Sequence, residues 1–502
     1  MKKSLFLLFF VLLGNLALQG QEYRFSVPEK IPSKVTDFDI IGTADSKIYL
    51  YKYGNNFHMV EAFDSETLKR EWQKELKLEG KRTGVLDIFP LKDGLLVFYF
   101  QRQKSTVFVY GRMYNHQLQP IKEPVELITF QRSFGSSSFD LDLVSDDKDE
   151  YFAILRKVNG TLGYKQVDFL MVDRKLETIQ ELKTLPLNSE NRYGGALISP
   201  KGEICALVGQ LRRGLFAGST TFEGLQVHVL EKGRENRILS LQDNIRRIRE
   251  FAAEWDHING ELVVAGYFSN EQSRVLDGFF SFHSDLSKSE SVIADYGIFD
   301  DSIADYIVRE KQLTAKQKEN DNYNKYNRKY FTSRFAEIEL RDMIIRSDGG
   351  ILIIGESSRI VDSGGPRDPF YDNRFQGTIN TPREYFYDDV MALSVNKDGS
   401  IDWVQILPKQ QYSQDDQGYY SSIGVMNSKN KIRLIFNETI SQRLLNEFVL
   451  SSAGNFRIRS LLKTKEFKVR TAARYAKQIS ATEIVIPTFQ DNDKMMLLKF
   501  SY

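Results

Sequence analysis

Residues 84–130 read GVLDIFPLKDGLLVFYFQRQKSTVFVYGRMYNHQLQPIKEPVELITF. Four runs in this stretch are rich in β-branched and aromatic residues, which favour strands. Turn formers, such as the pair Asp93-Gly94, separate the runs. The segment therefore predicts four antiparallel strands joined by short turns: Gly84–Leu91, Gly94–Phe100, Ser105–Tyr114 and Pro124–Phe130.

The same kind of unit recurs along the whole chain. Seven further runs resemble GLLVFYF: Lys47–Tyr53, Glu150–Val158, Glu203–Leu211, Glu261–Phe268, Gly350–Ser357, Lys431–Glu438 and Thr482–Phe489. One such unit cannot bury its apolar faces alone, so neighbouring units must pack against one another. The repeat predicts an all-β fold, a β-propeller of eight four-stranded blades. Seven blades, with one unit miscounted, is the alternative.

The two ends of the chain are predicted to meet in one blade. The last unit offers three strands, in Val469–Ile479, Thr482–Phe489 and Met495–Tyr502, and so lacks one. The extended N-terminal segment Tyr23–Pro32 supplies the missing strand, and the pairing removes an exposed sheet edge. Pro487 counts mildly against this arrangement, because proline is unusual inside a central strand.

The first residues have the features of an export signal. Met1-Lys2-Lys3 is basic, and the apolar run Leu5–Leu13 is too short to span a bilayer. We therefore expect a signal peptide at 1–20 and a propeller domain at 21–502, with insertions at 298–334 and 359–387. No later stretch is apolar and long enough for a transmembrane helix. The expected location of the mature protein is the periplasm or the outer membrane, with the cell exterior as the alternative.

Composition and motifs give no template for catalysis. The formal net charge is +1 and no basic stripe is present, which argues against a nucleic-acid partner. The five histidines are scattered and Cys205 is the single cysteine, so no metal site is predicted. No nucleophile elbow or phosphate loop occurs. We expect no cofactor and no catalytic residue, and non-enzymatic function is the favoured interpretation.

One stretch carries a more specific signal. AFDSETLKREW (Ala62–Trp72) resembles the tryptophan-docking motif of quinoprotein-type eight-bladed propellers, which spans the last hairpin of a blade. The residues that match are Ala62, Asp64, Thr67 and Trp72, whereas Leu68 stands where the family has glycine. A weaker match to the same motif occurs at Asn396–Trp403 and ends at Trp403.

The resemblance implies a scaffold. Quinoprotein dehydrogenases bind their quinone against two adjacent cysteines, which a chain with one cysteine lacks. The chain looks closer to the non-catalytic periplasmic propellers that help assemble outer-membrane β-barrels. Its signal segment is similar to those of exported proteins of the Bacteroidota. Fold alone does not carry function, so these likenesses remain expectations.

The long insertions fall almost entirely on one side of the predicted ring. Loops between the second and third strands of a blade, and loops between blades, open on the same face. The insertions 298–334 and 359–387 both belong to this set. The second mixes arginine with aromatic residues as protein interfaces do, and the first places three tyrosines on one face if its helix continues. The predicted contact residues are Arg367, Phe370, Tyr371, Arg374, Tyr385, Phe386, Tyr387, Tyr323, Tyr326 and Tyr330.

These observations lead to one favoured function and one alternative. The favoured function is a cell-envelope binding or assembly protein that engages a protein partner, such as an outer-membrane complex, through this face. The alternative is a polysaccharide-acting hydrolase or a glycan-binding propeller that uses the same face. The carboxylates available to such a hydrolase are Asp362, Asp368, Asp372, Glu384, Asp388 and Asp389.

Overall fold

The structure is a computed structural model. It describes residues 22–131, 138–161, 163–211, 222–242, 247–269, 276–286, 291–308, 335, 338–362, 365–366, 383–428, 430–438, 444–491 and 493–502. The predicted signal peptide lies outside the described residues. Within them, no helix has both the length and the apolar character needed to cross a membrane.

Strands are numbered in chain order. Two short strands, β1 (Glu22–Phe25) and β2 (Glu29–Lys30), precede the first blade. Blade one contains β3 (Asp37–Ala44), β4 (Lys47–Gly54), β5 (Phe57–Asp64) and β6 (Arg70–Glu75). Blade two contains β7 (Thr83–Leu91), β8 (Gly94–Gln103), β9 (Thr106–Tyr114) and β10 (Val125–Gln131). Blade three contains β11 (Phe139–Ser145), β12 (Tyr151–Gly160), β13 (Gly163–Asp173) and β14 (Thr178–Pro186). Each of these blades is an antiparallel sheet in sequential order.

Blades four and five are joined into one nine-stranded sheet. Blade four contains β15 (Asn191–Ile198), β16 (Ile204–Leu211), β17 (Phe222–Leu230) and β18 (Arg237–Gln242). Blade five contains β19 (Arg247–Asp256), β20 (Glu261–Ser269), β21 (Leu276–Ser284), β22 (Ser291–Ile293) and β23 (Asp295–Ile298). Its outer edge is split, because β23 pairs with β21 whereas β22 pairs in parallel with β18 of blade four.

A helix and an enlarged blade follow. Helix α1 (Asp301–Val308) lies inside the predicted insertion 298–334. Blade six contains β24 (Ile338–Ile345), β25 (Ile351–Asp362), β26 (Gly365–Pro366), β27 (Arg383–Val395), β28 (Ile401–Leu407) and β29 (Gln411–Gln414). Blade seven contains β30 (Ile423–Ser428), β31 (Lys431–Asn437), β32 (Leu444–Ser451) and β33 (Phe456–Lys463).

The last blade is built from both ends of the chain. It contains β34 (Val469–Thr471), β35 (Lys477–Gln478), β36 (Glu483–Gln490) and β37 (Lys494–Ser501), with a 3-10 turn at Ala473–Tyr475. Strand β1 completes it by pairing antiparallel with β37, from Glu22 with Ser501 to Phe25 with Leu498. The predicted closure by the N-terminal strand is confirmed.

Pro487 is accommodated by a break in the neighbouring strand. It lies in β36, between the segments that pair with β34 and with β35. The backbone N–H of Ala472 donates to the Pro487 carbonyl at 2.8 Å, so this side of Pro487 faces the interruption. The missing N–H of proline therefore costs no ladder hydrogen bond.

The core consists of interfaces between blades. Among the described residues, eight clusters of buried apolar side chains each join two neighbouring blades. One of them packs Phe38 and Leu50 of blade one against Val485 and Leu497 of blade eight. An interface between the first and last blades closes the ring. The expected all-β propeller with eight blades is thus confirmed, including its partly helical insertion between blades five and six.

Candidate functional site

The structural motif predicted in blade one forms a tight turn. Asp64 Oδ1 accepts from the Thr67 N–H at 2.8 Å and from the Thr67 hydroxyl at 2.6 Å. Leu68 has a φ of 56°, the left-handed conformation that glycine adopts most easily. Its side chain is only 1% exposed. Leucine here accepts backbone strain while filling the interface with blade eight.

The two motif tryptophans lie at interfaces between blades. Trp72 pairs in register with the buried Ala62 and lies in the cluster between blades one and two. Trp403 donates its indole N–H to the Ser452 carbonyl of blade seven at 3.0 Å. A Cβ added to Gly454, which has a φ of 77°, would approach the Trp403 ring to 2.6 Å. Both rings therefore serve packing between blades.

Blade six extends further than the others on the insertion-bearing face, defined by the loops between second and third strands and between blades. Its strands β25 and β27 have 12 and 13 residues, against 8 and 8 for β4 and β5 of blade one. Their pairing continues up to Asp362 opposite Arg383. Strand β29 pairs with the first part of β27 and widens this extension. We call this extension the blade-six ribbon; it comprises 357–362 of β25, 383–389 of β27 and the whole of β29.

The predicted contact residues divide between the ribbon and undescribed segments. Tyr385, Phe386 and Tyr387 lie in the ribbon and are 4%, 1% and 2% exposed. Phe386 packs on Tyr412 at 5.1 Å between ring centroids. These rings therefore pack inside the ribbon and do not lie on its surface. Seven predicted contact residues lie outside the described residues: Arg367, Phe370, Tyr371, Arg374, Tyr323, Tyr326 and Tyr330.

A buried ion cluster lies where the ribbon joins the ring. It is formed by Glu356, Lys409, Arg341 and Ser422. The side chains of Glu356 and Lys409 are both 0% exposed, with Lys409 Nζ 2.6 Å from Glu356 Oε1. Arg341 Nε donates to Glu356 Oε2 at 2.6 Å, and the Ser422 hydroxyl donates to the same oxygen. Burial acts to raise the pKa of Glu356, but Lys409 and Arg341 outweigh it and lower that pKa. The carboxylate therefore stays ionised inside the protein.

Lys409 also holds the end of the ribbon that is nearest the ring. Its ammonium donates to the Tyr387 carbonyl at 3.0 Å and to Gln411 Oε1 at 2.9 Å. Arg474 of blade eight donates to the Tyr387 hydroxyl at 3.2 Å. The Gln411 side-chain amide donates to the Asn437 carbonyl of blade seven. Blades six, seven and eight are thus linked by polar contacts at the point where the ribbon leaves the ring.

The carboxylates considered for a hydrolase do not face a common open site where they are described. Glu384 accepts a hydrogen bond from the Tyr412 hydroxyl at 2.8 Å. Asp389 is 4% exposed and accepts from the Lys409 backbone N–H at 3.1 Å. Asp388 is 7% exposed. Asp368 and Asp372 lie outside the described residues.

The innermost strands bring a second set of carboxylates around the central channel. Asp39, Asp87, Glu254 and Asp342 lie on the inner strands of blades one, two, five and six. Burial, with repulsion from neighbouring carboxylates, raises the pKa of Asp87 to about 6 and that of Glu254 to about 7. Burial also raises the pKa values of Asp39 and Asp342. Sequence reasoning missed this set, because its members come from distant repeats.

On the opposite face of the ring, the segment around His257 forms a tight turn. Asp256 Oδ1 accepts from the backbone N–H groups of Ile258 at 2.8 Å and Asn259 at 3.0 Å. This is an Asx-type turn, as its sequence before Asn259-Gly260 indicates. His257 contacts Asp147 of blade three across the ring. Within the described residues, no group of three or more histidine, cysteine, aspartate or glutamate side chains is arranged to hold a metal ion.

Comparison with known proteins adds no family name. No family model matches the chain, and no curated protein matches it. Among solved structures, it is similar to the quinohemoprotein alcohol dehydrogenase ADHIIG from Pseudomonas putida HK5, with a TM-score of 0.44 and 9% identity, over 95% of this chain and 76% of that chain. The Dos1 propeller gives a TM-score of 0.43 and 9% identity, over 97% of each chain.

A third similar structure is the β-propeller domain of the Trilobed protease from Pyrococcus furiosus, with a TM-score of 0.37 and 10% identity, over 86% of this chain and 98% of that chain. Identities this low concern the fold alone. The eight-bladed count rests on the sheets and on the eight interfaces between them.

Proposed function

We propose that this protein is a non-enzymatic binding or assembly propeller of the cell envelope, and that it engages a protein partner through the insertion-bearing face. The partner class we propose is an outer-membrane complex. The observation that carries the proposal is the blade-six ribbon, which extends two paired strands beyond the ring. Long connections on a rigid scaffold are where binding residues usually lie.

The ribbon is held in place at both of its ends, which keeps such a connection in a fixed position. Arg383 N–H donates to Asp415 Oδ1 at 2.8 Å, and Asp415 N–H donates back to the Arg383 carbonyl at 2.9 Å. Together with the contacts of Gln411 to Asn437 and of Arg474 to Tyr387, this fixes the ribbon to blades seven and eight. A fixed base reduces the ordering entropy that binding has to overcome.

The pairing register allows a clean test. Asp362 lies opposite Arg383, so 363–382 can be replaced by Asn-Gly to give a two-residue hairpin. Leu211 lies opposite Phe222 in blade four, so 212–221 can be replaced in the same way as a control on the same face. Each variant and the wild type would be cross-linked in cells at native expression and purified from solubilised envelope.

We expect the blade-six truncation to lose the partner that wild type and the blade-four truncation recover. Unchanged thermal unfolding of both variants shows that the ring is intact. Equal recovery by all three proteins would contradict use of the connection 363–382 that the ribbon carries. Recovery of this chain alone from wild-type cells would contradict the proposed function itself.

The hydrolase and glycan alternatives receive no support from the described ribbon. A glycosidase needs two carboxylates flanking a bound sugar. Asp388 and Asp389 are buried, and Glu384 is engaged by Tyr412.

A further inference from the structure

A polar pocket lies on the face opposite the ribbon, between blades four and five. Its volume is about 370 Å³, within the range of small-molecule sites. It is lined by Lys201, Glu203, Glu231, Arg234, Arg237 and Trp255, together with Gly260, Asp285 and Leu286. Most of these residues come from turns between first and second strands and between third and fourth strands, and Arg237 and Trp255 lie at the adjoining ends of β18 and β19. The pocket is therefore separate from the insertion-bearing face.

The pocket wall is fixed by a buried carboxylate. Glu231 is 8% exposed and accepts from Arg237 Nε at 3.0 Å and from Arg234 Nη1 at 2.7 Å. Arg237 also donates to the Leu286 carbonyl of blade five. Burial acts to raise the pKa of Glu231, but Arg237 and Arg234 outweigh it and lower that pKa. The ionised carboxylate thus ties the two blades together.

The groups left for a ligand are mainly hydrogen-bond donors. Three carboxylates line the pocket, and each already has a partner. Both Glu231 oxygens accept from arginine N–H groups, Glu203 Oε2 accepts from the Ser199 hydroxyl at 2.9 Å, and Asp285 is engaged as well. In the part of the chain that the structure describes, the Lys201 ammonium has no acidic partner. The side chain of Arg234 is 76% exposed and directs only one nitrogen to Glu231. A ligand that fits must supply acceptors, most effectively an anionic group.

The remaining lining adds an apolar surface. Trp255 belongs to the core cluster between blades four and five and is 9% exposed where it lines the pocket. Glu203 offers a second carboxylate oxygen that can accept from a hydroxyl. Aromatic rings contact the C–H groups of small polar ligands while charged groups fix their orientation.

We propose that this pocket binds a sugar acid of monosaccharide size. Its carboxylate contacts Lys201 and Arg234, its hydroxyls reach Glu203, and its C–H face lies on Trp255. The site acts independently of the ribbon.

The test is isothermal titration of the full chain with D-glucuronate, with neutral D-glucose and inorganic sulfate as comparison probes. We expect saturable binding of glucuronate and at least about tenfold weaker binding of both comparison probes. The double variant K201M/R234Q should weaken glucuronate binding at least about tenfold, because it removes both cations. Lys92 lies exposed in the equivalent turn of blade two, so K92M is the matched control and should bind as wild type does.

Three results would overturn the proposal. One is the absence of glucuronate binding to the wild type. Another is equal binding by K201M/R234Q and K92M. The third is sulfate binding as tight as glucuronate binding, which would indicate an ion site without sugar specificity. Loss of the protein partner in the ribbon experiment changes none of these measurements, so the two proposals fail separately.

Discussion

The buried ion cluster of blade six and the carboxylates of the central channel both keep acidic side chains away from bulk water. They differ in what faces them. Glu356 meets Lys409 and Arg341, and its pKa is lowered. Asp87 is buried and lies near the charge of Asp39, and both effects raise its pKa, to about 6. A buried carboxylate with two close cations stays ionised, whereas one with only the weaker influence of Lys477 is costly to ionise and lowers stability when charged.

The largest expected effect comes from breaking the compensated cluster. We expect K409M to lower the free energy of unfolding by about 3–5 kcal/mol, because it leaves the Glu356 charge buried beside Arg341 alone. Urea unfolding followed by circular dichroism measures this. The double variant K409M/E356Q should recover most of the loss, since it removes the stranded charge. A K409M protein as stable as wild type would show that the cluster contributes nothing.

A smaller effect of opposite sign is expected in the channel. At pH 8, D87N should raise the free energy of unfolding by about 1 kcal/mol, because it removes a carboxylate that is poorly solvated when ionised. Asparagine keeps the acceptor for the Ile88 N–H, which donates to Asp87 at 2.7 Å. The exposed Asp493 provides the matched control, D493N. Destabilisation by D87N at pH 8 would contradict this account.

The pH dependence of the D87N effect follows from the sign of the shift. An unfolded aspartate titrates near pH 3.9, whereas Asp87 titrates near 6 in the folded protein. The folded state therefore holds a proton that the unfolded state releases, and this stabilisation is present below about pH 4 and lost as the pH rises through 6. The gain from D87N should be largest above pH 7 and should disappear near pH 4. Glu356 behaves in the opposite way, because its stabilisation is lost as the pH falls.

The smallest effect concerns coupling across the channel. After burial, the Asp147 charge is the largest cause that raises the pKa of Glu254 to about 7. We expect D147N to lower that pKa by a few tenths of a unit, as removal of a partly screened charge does. Carboxyl-carbon NMR titration reads it directly, with D493N again as control. A Glu254 pKa that stays at its wild-type value in D147N would show that the two carboxylates do not interact.

Much of the fold could be predicted from local sequence. The four strands of blade two appear within one residue of their predicted bounds, except that β8 continues three residues further, to Gln103. The agreement arises because alternating apolar residues and turn formers act over short distances. Closure by β1 could also be predicted, since the last unit lacked a strand. The left-handed turn at Leu68 could not, because leucine rarely adopts that conformation and gives no local signal of it.

The candidate sites were predicted less well. Glu356 lies in GILIIGES, where nothing distinguishes it from a solvated strand residue, and its partner Lys409 is distant in sequence. The aromatic residues of the ribbon were expected on a surface, yet the described ones are buried. Tyr412 and Arg359 pack on Phe386, and Arg474 packs on Tyr387. The pocket near Trp255 forms where turns of blades four and five meet, as in the contact of Arg237 with the Leu286 carbonyl, and no local pattern encodes that contact.

The sequence by itself determined the repeat, the four-stranded unit and the meeting of the two ends, because strand period and turn chemistry are properties of neighbouring residues. Only the tertiary structure decided which charges are paired, which carboxylates face the channel and which turns enclose a pocket. The energy of a charge depends on the dielectric and the partners around it, and those partners come from other blades.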